Sequence, residues 1–137
     1  MRGRLRAELE GRGFRLRDPV GDFALLRLIQ AAPFALPAGY LDLLRATNGG
    51  SGALRGQGRC IYLTAAEQVM SEHESWGVHE HAPDHLLFAS DGEGGFFLFD
   101  EAGRVRCCKS TEVAAPARFA LAFERFEDLI RELGAAG

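Results

Sequence analysis

The chain has 137 residues, 47% of them hydrophobic and 26% charged, with a formal net charge of −3. These are the values of one soluble globular domain that folds without metal or disulfide help, and they exclude disordered and collagen-like classes. No apolar run approaches the ~18 residues of a bilayer span, because Val20 to Leu44 is broken by Asp22, Arg27, Pro33, Pro37 and Asp42.

The opening segment, Met1 to Gly13, predicts a short helix stopped by Gly11 and Gly13, with so few apolar residues that fraying is the alternative. It lacks the apolar stretch of a secretory signal, so a cytoplasmic location is expected. Phe14 and Leu16 alternate with Arg15 and Arg17, the period of a half-buried edge strand ended by Pro19. Leu25, Leu28, Ile29 and Ala32 then fall on one helical face, with Asp22 as N-cap. Pro33 and Pro37 interrupt this pattern. A second helix restarts near Pro37 with Tyr40, Leu43, Leu44 and Thr47 on one side, and Asn48, Gly49 and Gly50 close it.

Ser51 to Gly58 reads as a flexible loop and Arg59 to Leu63 as a strand. Thr64 and Glu67 have the spacing of a capping box for a short helix, after which Ser71 to His85 shows no period and reads as an irregular loop. Three strands follow: Leu86 to Ser90, Phe96 to Asp100, and Arg104 to Cys108. The phenylalanines of the middle one point to both faces, as in a central strand covered on both sides. The short connection Asp100 to Gly103 demands an antiparallel hairpin, with Gly103 supplying positive φ. The closing segment places Phe123, Phe126, Ile130 and Leu133 at helical spacing, pairs Glu127 with Arg131, and stops at Gly134. The order of elements is that of an α+β domain.

Charge is unevenly distributed. Six arginines in the first 17 residues meet only Glu8 and Glu10, whereas the stretch between Arg59 and Arg104 has no Lys or Arg and nine acids. A field of one sign steers an oppositely charged partner, and this one disfavours nucleic acid. Solubility alone is the alternative use of such acids.

The chemistry-bearing residues are sparse. Cys60, Cys107 and Cys108 are odd in number, which fits small, reduced thiols, with a vicinal redox pair at 107 and 108 as the alternative. His73, His79, His81 and His85 could offer nitrogen to zinc but lack a preorganising element, so they are expected to be solvated and no metal or other cofactor is expected. The segment around Ser51 lacks the context of a nucleophile elbow, the cysteines lie in predicted strand interiors, and the nearby carboxylates Asp91 and Glu93 have no identifiable partner group. No enzymatic activity is expected. Trp76, the single tryptophan, lies among polar residues and reads either as an interface anchor or as a core plug over the sheet.

Taken in order, several motifs resemble the SUKH superfamily, named for the fungal Smi/Knr cell-wall regulators and their bacterial relatives. Leu36, Pro37, Tyr40, Leu44, Asn48, Gly49 and Gly50 match its Leu-Pro, tyrosine-bearing helix and Asn-Gly-Gly ending. Phe88, Asp91, Gly92, Gly95, Phe99, Asp100, Gly103 and Val105 match its later strand, Asp-Gly loop, strand ending in Asp and Gly-x-Val strand, and Phe123 and Phe126 its terminal helix. The match runs from about Asp22 to Leu133, leaving residues 1–21 as an Arg-rich extension and the loop from Glu72 to His85 idiosyncratic.

The resemblance implies a single domain with a mixed, largely antiparallel central sheet flanked by helices and no active site. Bacterial members are similar to immunity proteins that block a cognate toxin of a polymorphic toxin system, whereas fungal members look like regulatory scaffolds. Fifteen arginines against one lysine favour a bacterial source. The expected partner is a basic toxin domain such as a nuclease, met by Trp76, Glu72, Glu74, Glu80, Asp84 and Glu93, with no nucleic-acid or membrane partner. A scaffold that binds host proteins without neutralising a toxin is the alternative.

Overall fold

The computed structural model describes residues 2–136 as one α+β domain. Its elements are α1 (Arg2–Gly11), β1 (Arg15–Leu16), α2 (Asp22–Ala31), α3 (Ala38–Ala46), β2 (Gly50–Leu54), β3 (Arg59–Leu63), α4 (Ala66–Ser75) and α5 (Val78–His81). They continue with β4 (His85–Ser90), β5 (Gly95–Asp100), β6 (Val105–Lys109), two 3-10 turns between 110 and 118, β7 (Ala120–Phe123), α6 (Phe126–Glu132) and β8 (Leu133–Gly134). The sheet follows chain order from β1 to β7, with β8 beside β1 on the outer edge of β2. Every pairing among the described residues is antiparallel, so the mixed sheet expected has no parallel pair.

β5 is buried at all six positions, and its alternation divides two cores. Phe97 and Phe99 face the larger one, which α1 to α4 and α6 close; Phe96 and Leu98 face a smaller one closed by Val78 and Ala82 and by Val113 and Phe119. Tyr40, Phe88, Phe99 and Phe126 form an aromatic cluster in the larger core, with Phe88 stacked on Phe99 at 4.1 Å. A bulge in β4 between Leu87 and Ala89 lets Phe88 and Ala89 both reach this core.

The N-terminal residues are part of this core, not an appendage to a 22–133 domain. Leu9 is wholly buried and Phe14 nearly so. The Arg6 guanidinium donates to the carbonyls of Arg17 and Ala46 at 2.8 and 2.7 Å, and Arg12 to that of Ile130 at 2.8 Å. These two arginines tie the N-terminal segment to main-chain carbonyls of three other parts of the chain.

Several local expectations are corrected. Gly21, not Asp22, is the N-cap of α2, and Ile29 faces water with Phe23 and Leu26 because α2 turns only Leu25 and Leu28 fully inward. Gly50–Leu54 is a strand: the Phe14 ring lies against Gly50 and Gly52, and the Gly134 carbonyl against Gly52, where no Cβ would fit. Thr64 and Glu67 make no capping box. Asn48 caps α4 from another helix's end instead, accepting from the Ala66 N–H at 2.8 Å and donating to Glu67 at 2.7 Å. Phe123 ends a strand, α6 begins at Phe126, and Leu133 has left the helix for β8. Arg131 pairs with Asp128 at 2.9 Å, not with Glu127.

The matched motif residues have structural roles. Leu36 packs against the larger core, and the Pro37 carbonyl accepts the Tyr40 and Leu41 N–H groups. Gly49, at φ +87, leaves no room for a Cβ beside the Leu63 carbonyl. Gly103, at φ +85, closes the β5–β6 turn, and Val105 is wholly buried.

Candidate functional site

The smaller core covers only part of its face of the sheet. Ser51 and Ala53 on β2 stand beside Tyr62 and Cys60 on β3, and among the described residues the smaller core does not extend over this quarter: Cys60 is exposed and Tyr62 is 49% exposed. The alternation on β3 explains it, with Ile61 and Leu63 inside the larger core and Cys60 and Tyr62 outside. A depression of about 440 Å³ runs from here to α4, lined by Arg15, Ser51, Tyr62, Gln68, Glu72 and Ser90.

α4 is held there by a split in the sheet. β3 and β4 pair only at Tyr62–Ser90 and Leu63–Ala89. Nearer the start of β4, the Leu87 N–H donates to His73 Nδ1 at 3.3 Å instead of to a strand. That bond, with the Asn48 cap at the other end, fixes α4 so that Trp76 at its C-terminus stands edge-on to Phe96, ring centroids 5.0 Å apart. Trp76 covers part of the sheet as a plug would while leaving much of its ring exposed. One side of the indole closes the smaller core over Phe96, and half of its surface faces water.

Gly92, at φ +77, lies against the Tyr62 ring, so the β4–β5 loop borders the same face. Asp91 shapes this loop: Oδ1 accepts the Glu93 and Gly95 N–H groups, each at 2.8 Å, and Oδ2 meets Arg59 at 2.9 Å. Burial would raise the Asp91 carboxyl, but these bonds outweigh it and hold it below the usual range. Asp91 is therefore engaged, and Glu93 beside it is the exposed acid.

The expected binding residues do not share one spot. Glu72, Trp76 and Glu93 gather around the uncovered face, whereas Asp84 precedes β4 at the far end, about 20 Å of strand away. Glu74 is exposed on α4 and Glu80 on α5. Ser71–His85, expected to be irregular, is largely helical.

Asp84 borders a second depression of about 790 Å³ with His85, Asp100, Arg104 and Arg106. Asp100 is a structural pin in it: Oδ1 accepts the Ala102 and Arg104 N–H groups at 3.0 and 2.9 Å, and Oδ2 accepts Nε of Arg104 and Arg106 at 3.0 and 3.1 Å. These bonds overcome the effect of burial and lower its affinity for protons.

The histidines are not uniformly solvated. His85 is buried edge-on to Phe119, and His73 is 2% exposed. Among the described residues no three His, Cys, Asp or Glu side chains are grouped to hold a metal ion. Burial, reinforced by His79 and opposed by Glu74, pushes His73 down to about 4. The unfolded imidazole binds its proton near 6.5, so stability is complete above that pH and is lost as pH falls toward 4. At pH 5 the expected loss is about 2 kcal/mol. Urea unfolding of wild type and His73→Gln across this range checks it, since only the wild type should carry this slope.

Cys60 is exposed, contrary to its expected interior place, while Cys108 is buried and its thiol is pushed up to about 12 by burial and then by Glu112 and Cys107. Tyr62 is the residue that sequence reasoning passed over. Its signal was the Cys60/Tyr62 against Ile61/Leu63 alternation, which marks a face without saying whether anything covers it.

Fold and site together define an α+β domain with an open antiparallel sheet and one thinly covered face, where Tyr62 lies among charges of both signs, Arg15, Arg17 and Glu72. No protein-family model matches the chain, and no curated protein matches it either.

Proposed function

We propose that the protein is a non-enzymatic binding module of SUKH type, an immunity protein that occludes a basic toxin domain, for instance a nuclease, of a bacterial polymorphic toxin system. The observation that carries this reading is the uncovered sheet face, where half-exposed Tyr62 lies beside Glu72 and against the Gly92 turn that precedes Glu93, with half-exposed Trp76 over Phe96. Aromatic anchors on a rigid sheet supply holding energy, and acids around them speed encounter with a cationic surface. Two of the nine acids between Arg59 and Arg104, Asp91 and Asp100, are occupied by arginines and Glu67 is bonded to Asn48, whereas Glu72, Glu74, Glu80, Asp84, Glu93 and Glu101 are exposed and contribute to that field.

The test begins with the protein that co-purifies with a tagged copy and with growth rescue against the product of the neighbouring toxin gene. Rescue is expected; a partner bound without rescue favours a scaffold. Against the identified partner, Glu72→Gln with Glu93→Gln should slow association about tenfold at low salt and flatten its salt dependence, leaving dissociation nearly unchanged. Unchanged association would remove these acids from the interface.

A further inference from the structure

The smaller core also stops short at the other end of its face. On β4 and β5 that face runs through the pair Leu87–Leu98 to the pair His85–Asp100, and on β6 it runs from Cys108 to Arg106, which pairs with Leu98. Past Leu98 and Phe119 the apolar side chains therefore give way to His85, Asp100, Arg106 and, two residues earlier on the same side of the chain, Arg104. These four line the depression of about 790 Å³, which has the size of a small-molecule site.

The charges held together here do not balance. Asp100 spends both oxygens on the turn and the arginines, Oδ1 on two backbone N–H groups and Oδ2 on Nε of Arg104 and of Arg106. One carboxylate thus serves two guanidinium groups, which leaves one unit of positive charge over. Each arginine reaches Asp100 through Nε alone, so the Nη groups of both have no acceptor among the described residues. Neither side chain stands fully in water, Arg106 being 23% and Arg104 41% exposed, and partly buried donors call for acceptors. The other two acids around the depression do not provide them. Asp84 is bonded to Nδ1 of His85 at 2.9 Å, and Glu101 enters no ion pair among the described residues.

We propose that this depression binds a small ligand through an oxyanion group, phosphate or carboxylate, received by the Nη groups of Arg104 and Arg106. Guanidinium forks match the geometry of either group, and Oδ2 of Asp100, shared by the two Nε atoms, keeps the forks side by side. Asp100 is a positioning residue in this arrangement, since its oxygens are already filled by four donors. Pro116, Ala117 and Phe119 supply an apolar wall for the rest of the ligand. Exposed Glu101 at the rim opposes an anion and keeps the affinity for a bare ion modest. The site lies at the opposite end of β4 from Ser90 and Tyr62, and it does not rest on the immunity reading.

Titrating the full chain with inorganic phosphate and, separately, with acetate, at an ionic strength held constant with chloride, tests it by the NMR signals of the arginine Nε–H groups. The signals of Arg104 and Arg106 should shift and saturate, with a Kd of about 1 mM for the better anion. Tighter binding of phosphate assigns a phosphate-bearing ligand, and tighter binding of acetate a carboxylate. Arg104→Gln should weaken binding at least about tenfold by removing one fork, and Glu101→Gln should tighten it about threefold by removing the opposing charge at the rim. Shifts that do not saturate by about 20 mM of either anion overturn the proposal. So does binding that survives Arg104→Gln in a chain with wild-type circular dichroism. Should that variant fail to fold, Glu101→Gln carries the test alone, and an affinity it leaves unchanged overturns the site.

Discussion

Asp100→Ala is expected to destabilise the domain by about 3–5 kcal/mol, the cost of removing one partner from a buried charged cluster. The carboxylate is 11% exposed at the side chain and serves four donors. Without it the N–H groups of Ala102 and Arg104 lose their acceptor inside the tight β5–β6 turn. The guanidinium groups of Arg104 and Arg106 then stand together with no counter-ion. Asp100→Asn should cost roughly half as much, because its carbonyl can still take the two backbone donors while its amide faces the arginines unfavourably. For a domain of this size the Ala variant should melt about 10 °C or more below wild type. Thermal unfolding measures this, and a fall of only a degree or two would mean that the turn holds without its pin. The sign with pH follows from the lowered affinity for protons: this stabilisation is complete above the unfolded carboxyl pKa and lost as pH falls through the folded value. Acid thus attacks the fold twice, first through His73 and then through Asp100 and Asp91.

Where one residue type dictated one environment, the sequence was readable. The phenylalanines of β5 and the apolar run of α3 lie where their periods put them, because burying them has few solutions. What escaped was decided by partners far away in the chain. Gly50–Leu54 has little intrinsic preference for a strand and becomes one because Phe14 and the Gly134 backbone need a surface without side chains. Ile29 was assigned inward because α2 is apolar around most of its circumference, and only the position of α4 decides which part is covered. Phe123 fits a helical spacing with Phe126 by accident of a strand ending just before a helix begins. The candidate site was half legible. Trp76 and the acids were visible as residue types, but acids adjacent in sequence were separated by the length of β4, and Tyr62 gained its exposure from a core that stops one strand short.

Trp76→Ala should weaken binding to the identified partner by about 2–4 kcal/mol, roughly 30- to 1,000-fold in Kd, the range of a central aromatic anchor. The same change should cost the free protein less, about 1–2 kcal/mol, because the ring is only half buried and the removed contact is chiefly that with Phe96. Comparing calorimetric Kd with thermal unfolding separates the two roles, since a plug without binding function would lower the melting temperature and leave the affinity of the folded fraction unchanged. Tyr62→Ala provides the control on the same face. Tyr62 abuts Gly92 at the β4–β5 loop and Trp76 stands over Phe96, so a partner that lies across the uncovered face must touch both. A loss of affinity for Trp76→Ala alone would place the partner on the α4–α5 side, and equal losses would place it astride the depression that Glu72 lines.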